Sequence, residues 1–196
     1  DVGLRLSAVV TTLDNAATLD TCLASLRFCD EIVLLDSGST DGTLEIARRH
    51  VARIAMQPFA GYGPQKQAAI DLAEGEWILL LDADESLTDD GRATILRELA
   101  APRADGYRLP RREWLFWRWP HPATRPNWQW RLFRKARGRL NSVPVHAAPV
   151  VEGAVIDLDA PFRHYGEPRL ADRVDKINRY SSGLLEHKRG KPVQFI

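Results

Sequence analysis

Cysteine is almost absent. Cys22 and Cys29 are the only two in 196 residues, they stand seven apart, and no other Cys or His lies at a metal-knuckle spacing from them. That excludes a disulfide-stapled fold and a zinc knuckle, and the pair reads as two small buried hydrophobes in a reducing compartment. No run of about 18 apolar residues occurs, so no segment reads as a membrane span, and no export signal is evident. Internal repeats and low-complexity linkers are missing too. Acids are scarce in one region: from Arg103 to Arg139, eleven Lys or Arg face two acids, Asp105 and Glu113, although the chain's net charge is only +1. The chain has no initiator methionine and stops on the apolar patch Val193, Gln194, Phe195, Ile196, which together suggest a trimmed fragment.

What is present is enough for a core. A 44% hydrophobic content argues against disorder, and the length fits one domain with two unequal lobes. The most informative stretch is EWILLLDADE. Trp77, Ile78, Leu79, Leu80 and Leu81 form an apolar run suited to a strand buried on both faces, and it ends abruptly in Asp82, Ala83, Asp84 and Glu85. In an open α/β sheet, ligands gather outside the carboxyl ends of the strands. Asp82 and Asp84 placed there can bracket a divalent cation that also holds substrate phosphates, a habit of Mg²⁺. The same acids also fit a solvated strand end, so the neighbouring units have to decide.

Those units repeat the pattern. A short β-branched strand over 6–12 breaks into Leu13, Asp14 and Asn15, and a helix should follow with Thr18 as its cap. A second buried strand over 31–35 ends on Asp36 in the loop DSGSTDGT, where Thr40 or Asp41 can cap the helix over 44–50. Asp36 thus lies at a strand end beside a helix N-terminus, a place for a base, a ribose or a phosphate. A third strand over 51–56 leads into GYGPQK and a helix to Leu72, with Lys66 expected in its first turn, where it can balance diphosphate charge. The β-α-β-α-β-α-β order predicts a mostly parallel sheet with its functional edge at the strand carboxyl ends. A helix over 89–99 follows, and 102–106 reads as the joint between a nucleotide-sugar-binding half, 1–101, and an acceptor-side half, 102–196.

The segments TTLDN, LLDSGSTDGT, GYGPQKQAA and GEWILLLDADE together resemble the inverting glycosyltransferases of family 2, which have the Rossmann-like GT-A fold. WQWRLFRK, VPVHAAPVVEG and HYGEPRLADRVDKINRYSS narrow the resemblance to the subgroup typified by the lipopolysaccharide core β-glucosyltransferase. The resemblance implies that Thr12 and Asp14 line the base pocket, Asp36 contacts the uridine, Lys66 the base or diphosphate, and Asp82 the ribose or sugar. Asp84 would hold the metal, Mg²⁺ or Mn²⁺, that bridges the diphosphate of a UDP-sugar, with His164 as a further ligand. A metal there neutralises the charge growing on the leaving group.

Two departures bear on catalysis. The subgroup carries an Asp where this chain has Asn127, and reads V-H-E where this chain has Val145, His146 and Ala147. An inverting transfer needs a general base on the acceptor hydroxyl, and neither Asn nor Ala can accept a proton. His146, Glu113 and Glu152 are the possible replacements. A third departure, Asp14 in place of the usual Asn, is milder.

The basic region also holds five of the six tryptophans within seventeen residues, Trp114 to Trp130, interleaved with arginines that include Arg131 just beyond them. Flat amphipathic rings suit sugar faces and lipid interfaces, and arginine forks suit phosphate. Trp128 and Arg131 are therefore candidate contacts to the acceptor, a phosphorylated glycolipid or oligosaccharide. Nucleic acid would also suit an aromatic-basic mixture, yet nothing in the first half resembles a nucleic-acid module. A nucleotidyltransferase would carry a Gly-rich basic loop near its first strand, and TTLDNAATL is neither. A strand is expected over 150–158 and an amphipathic helix over 170–187, whose basic face can rest on anionic lipid. The expectation is a hexosyltransferase of cell-envelope lipopolysaccharide, cytoplasmic and peripheral to the inner membrane face. The rival is a binding homologue impaired by Asn127 and Ala147.

Overall fold

A computed structural model of the chain describes residues 5–50, 52–113, 125–141 and 147–165. The three long apolar runs all become parallel strands. β1 (Leu6–Thr12) lies between β2 (Glu31–Asp36) and β4 (Trp77–Asp82), and β3 (Arg53–Met56) flanks β2. Alternation with period two divides each run between two cores. Ala8, Val10, Ile32, Leu34, Trp77, Leu79 and Leu81 face α1 (Leu19–Ser25), α2 (Thr43–Arg49) and α4 (Asp89–Ala100). Val9, Val33, Leu35, Ile78 and Leu80 face Ala69 and Ile70 of α3 (Tyr62–Leu72). Strands covered on both faces need no polar residues within them, hence the continuous runs.

The sheet then continues with β7 (Asn127–Arg134), antiparallel to β4, β6 (Gly106–Glu113), β11 (Phe162–His164) and β5 (Glu85–Leu87). β10 (Val155–Asp157) also pairs with β6, and β8 (Gly138–Leu140) with β9 (Pro149–Val151) forms a separate ribbon. The result is the expected mixed α/β architecture: one large, mostly parallel sheet with helices on its faces. Residues on both sides of 102–106 share that sheet. The joint itself is fastened by Tyr107, whose hydroxyl donates to Glu98 at 2.8 Å and accepts the Arg103 and Ala104 N–H groups, both at 3.1 Å.

Local details differ from expectation for physical reasons. Thr18 is the N-cap of α1 but makes no side-chain cap bond, and the Asn15 carbonyl takes the Thr18 and Leu19 N–H groups. α2 begins one residue early, with Gly42 at the cap position and Asp41 supplying the oxygen to the Thr43 N–H at 2.9 Å. α3 begins at Tyr62, which puts Lys66 in its second turn. The strand expected over 150–158 is broken into β9 and β10 by Gly153, whose φ of +111° only glycine adopts easily. β5 was not expected, since three residues inside a polar run carry no periodicity. The helix expected over 170–187 lies outside the described residues. No helix among the described residues is long and apolar enough to cross a membrane.

Candidate functional site

The strand order β3-β2-β1-β4 reverses direction at β1, so the crevice between the carboxyl ends of β1 and β4 is a topological switch point. The register places Thr12 opposite Asp36 and Thr11 opposite Asp82, which puts both aspartates on that edge, one on each side of β1.

Asp36 is fully buried. Its Oδ2 accepts the Thr12 and Ser39 hydroxyls, both at 2.6 Å, and its Oδ1 accepts the Gly38 and Ser39 N–H groups at 2.8 and 2.7 Å. Burial pushes this carboxyl up, but the hydrogen bonds from Ser39, Thr12 and Gly38 outweigh it and hold the group below the usual range. Thr12 therefore serves Asp36 directly. Asp14 works from the outside of the same loop, with a φ of 53° that suits Asn or Asp. Its Oδ1 accepts the Thr40 N–H at 2.8 Å, and its own N–H donates to Ser39 Oγ at 2.8 Å. The loops after β1 and β2 are thus sewn into one rim. Gln65, which sequence reasoning passed over, joins the β3–α3 loop to that rim through Ser37 Oγ at 3.1 Å and the Gln57 carbonyl at 3.2 Å.

Asp82 is half-buried and held differently. Lys66 Nζ lies 2.5 Å from its Oδ1, and Arg131 Nη2 lies 3.4 Å from its Oδ2. Burial raises this carboxyl, and the Lys66 and Arg131 charges overcome it, leaving the group well below the ordinary range. Lys66 and Asp82, separately expected at the donor, are brought into contact. Asp84 is reached by His164, with Nε2 at 3.2 Å from Oδ2, while the Asp84 carbonyl accepts the Tyr165 N–H at 3.0 Å. Burial lowers the His164 imidazole, but the Asp84 carboxylate more than compensates and raises it. Asp84 and His164, both expected at the metal, lie within hydrogen-bond distance of each other. Among the described residues no cluster of three His, Cys, Asp or Glu forms. The Asp84 carboxylate, with the remaining positions left to water or phosphate, fits Mg²⁺ or Mn²⁺, which take oxygen ligands and rarely an all-protein cage.

The residue most clearly missed is Glu85. Its side chain is fully buried, Oε1 accepts Arg131 Nη2 at 2.8 Å, and Oε2 accepts the Asp82 N–H at 3.0 Å. Burial pushes its carboxyl up, against the pull of Arg131. The only trace in the sequence was a third acid after DAD. Arg131, expected at the acceptor, instead lies against Asp82 and Glu85, 6% exposed and 5.4 Å from the centre of the Phe162 ring.

The acceptor side is only partly described. The register pairs His164 with Glu113 on β6 and with Glu85 on β5, which places the three on one face. Glu113 is bonded to Arg111 Nη2. Asn127 stands exposed at the start of β7, opposite Arg111, and accepts the Gln129 amide at 2.7 Å. Trp128 is half-buried beside Pro110, and Glu152 is exposed. Ala147 is half-buried, whereas His146 lies outside the described residues.

Residues 7–150 match the model of the family described as Glycosyl transferase family 2. The lipopolysaccharide core biosynthesis glycosyltransferase LpsC of Rhizobium meliloti is 34% identical over 189 residues, covering 91% of this chain and 70% of LpsC. A glycosyltransferase of Rickettsia bellii is 34% identical over 104 residues, covering 53% of this chain, and the match spans only 35% of that relative. Among solved structures, S. aureus TarS 1-349 in complex with UDP-GlcNAc superposes with a TM-score of 0.62 at 17% identity, covering 85% of this chain and 60% of that one. That likeness shows a shared fold.

Proposed function

We propose that this chain, which belongs to glycosyl transferase family 2, transfers a hexose, glucose in our reading, with inversion from a UDP-sugar to a lipopolysaccharide-core or related cell-envelope glycan. The observation that carries the proposal is the convergence of Asp36, the Lys66–Asp82 pair and the Asp84–His164 pair on one sheet edge at a switch point. The acceptor class follows LpsC, a lipopolysaccharide core glycosyltransferase. The donor class is supported by the shared fold of TarS, which is crystallised with UDP-GlcNAc. The basic, tryptophan-rich stretch from Trp114 to Trp130 suits an acceptor presented at the inner face of the cytoplasmic membrane.

Each role follows from position. Asp36, buried and fixed by four hydrogen bonds, would act on the uridine through the Gly38–Ser39 loop it orders, not by direct contact. Lys66 can exchange Asp82 for the diphosphate, since an ammonium on a flexible stem moves at little cost. Asp84 and His164 would hold a divalent cation, which supplies charge neutralisation to the departing diphosphate. In the transfer, the acceptor oxygen bonds to the anomeric carbon as the bond to the phosphate oxygen breaks, and the hydroxyl proton passes to a base. The register sets two carboxylates beside His164, and Glu113, the one not buried against Arg131, takes that role in place of the acids missing at Asn127 and Ala147.

A second reading, a binding homologue without turnover, is favoured by Asn127 and by the ion pair that engages Glu113. Incubating the purified protein with UDP-glucose, Mn²⁺ and a core glycolipid, and measuring UDP release, separates the two. Transfer is expected, with a fall of at least about 100-fold in Glu113→Gln and unchanged UDP affinity. UDP binding without any transfer would establish the second reading.

A further inference from the structure

The buried Glu85–Arg131 pair is the largest feature that the donor and acceptor roles leave unused. A buried ion pair is a poor device for stability, because desolvation offsets its attraction. This one is also incompletely satisfied: Arg131 Nε is buried without a hydrogen-bond partner, and Nη1 reaches only its neighbour's carbonyl, Trp130 O, at 3.4 Å. A core position selected for packing alone would hold an apolar side chain here, next to Phe162 and Leu132. What the pair does touch is the donor edge, at two points. Glu85 takes the Asp82 N–H, fixing the turn that carries Asp82 and Asp84, and Arg131 Nη2 reaches the Asp82 carboxylate from behind, opposite Lys66.

We propose that Glu85 and Arg131 are positioning residues for the donor: Glu85 holds the Arg131 guanidinium against Asp82, so that Asp82 keeps its orientation when Lys66 leaves it for the diphosphate. The pair thereby acts through Asp82 and touches no substrate itself. Two cations share one carboxylate, but they are not equivalent. Arg131 is anchored from a β-strand by a buried acid, whereas Lys66 approaches from a helix and carries its charge on a flexible stem. Glycine or alanine at 85 would release both the turn and the guanidinium, and no other acid among the described residues lies within ion-pair distance of Arg131 except Asp82 itself.

This inference rests on the donor-site reading above, and the test separates their failures. UDP is titrated calorimetrically, with and without Mn²⁺, into the parent, Arg131→Met, Glu85→Gln and the double variant, and thermal melts are recorded for each. Each single variant leaves one buried group without its partner and should melt early. The double variant removes both charges and should recover most of the parent's melting temperature. Its UDP affinity should nevertheless stay weaker, on the order of tenfold or more, as expected when a supporting contact to a ligand group is lost. Recovery of both stability and UDP affinity would show a merely structural pair and overturn the proposal, leaving the donor site intact. A parent that binds no UDP would overturn the donor reading and this inference with it. Should the double variant fail to fold, Arg131→Lys carries the test, since it keeps the charge but its shorter stem ends before the position that Nη2 holds between Glu85 and Asp82. A folded Arg131→Lys with weakened UDP binding is expected, and parental affinity would overturn the proposal.

Discussion

Two aspartates end neighbouring buried strands on the same edge, and they are held by opposite means. Asp36 is enclosed by neutral donors, all but one of them from the three residues that follow it, so its carboxylate has one orientation and no counter-ion to exchange. Asp82 is held by two cations from distant elements, one of them on a flexible stem. A group fixed by short local hydrogen bonds suits recognition of a part of the ligand that never changes. One held between two cations suits, on the proposed reading, the place where charge moves during the transfer. The edge is thus divided into a static half and a responsive half.

Substitution should expose this division. Asp36→Asn presents an amide NH₂ to a ring of donors and should cost about 3 kcal/mol of stability, whereas Asp82→Asn should cost about 1 kcal/mol, since the carboxylate is half-exposed and the Glu85–Arg131 pair remains. Urea denaturation of the two variants against the parent measures the difference, and equal losses would erase the contrast. The pH dependence has a definite sign. The Asp36 carboxyl is depressed on folding, so its contribution is present above its unfolded value near 4 and is lost as pH falls through the folded one. The stability gap between the parent and Asp36→Asn should therefore be full at pH 7 and shrink below about pH 4.

The smallest effect is expected at the rim. Asp14→Asn keeps an oxygen for the Thr40 N–H and tolerates the positive φ, so it should stay within about 0.5 kcal/mol of the parent. Asp14→Ala loses both and should cost about 1–2 kcal/mol. Melting curves of the pair decide whether the rim is held by Asp14 or only decorated by it.

The two halves of the edge also differ in how far they could be read from sequence. Everything that Asp36 needs lies in DSGS and one threonine of the preceding unit, so the apolar run, the acid and the loop announced it together. The long buried strands β1, β2 and β4 were legible for the same reason: their signal is local. The partners of Asp82 stand 16 and 49 residues away in the chain, and only the strand order brings Arg131 under it. Arg131 therefore read as an acceptor contact within a basic stretch. Glu85 read as a third surface acid, since burial of a carboxylate depends on a counter-ion 46 residues distant. The placement of Glu113 beside His164 likewise follows from the pairing of β6 with β11, which no periodicity in either segment encodes.

On the proposed reading this edge binds a nucleoside diphosphate through the Asp36-ordered loop and Lys66 on one side and an Asp84-held cation on the other. Calorimetric titration of UDP, with and without Mn²⁺, into the parent and Asp84→Ala tests it most directly. UDP binding that Mn²⁺ strengthens is expected in the parent, with that gain abolished in Asp84→Ala. Binding that ignores both the metal and the substitution, or no binding at all, would contradict it.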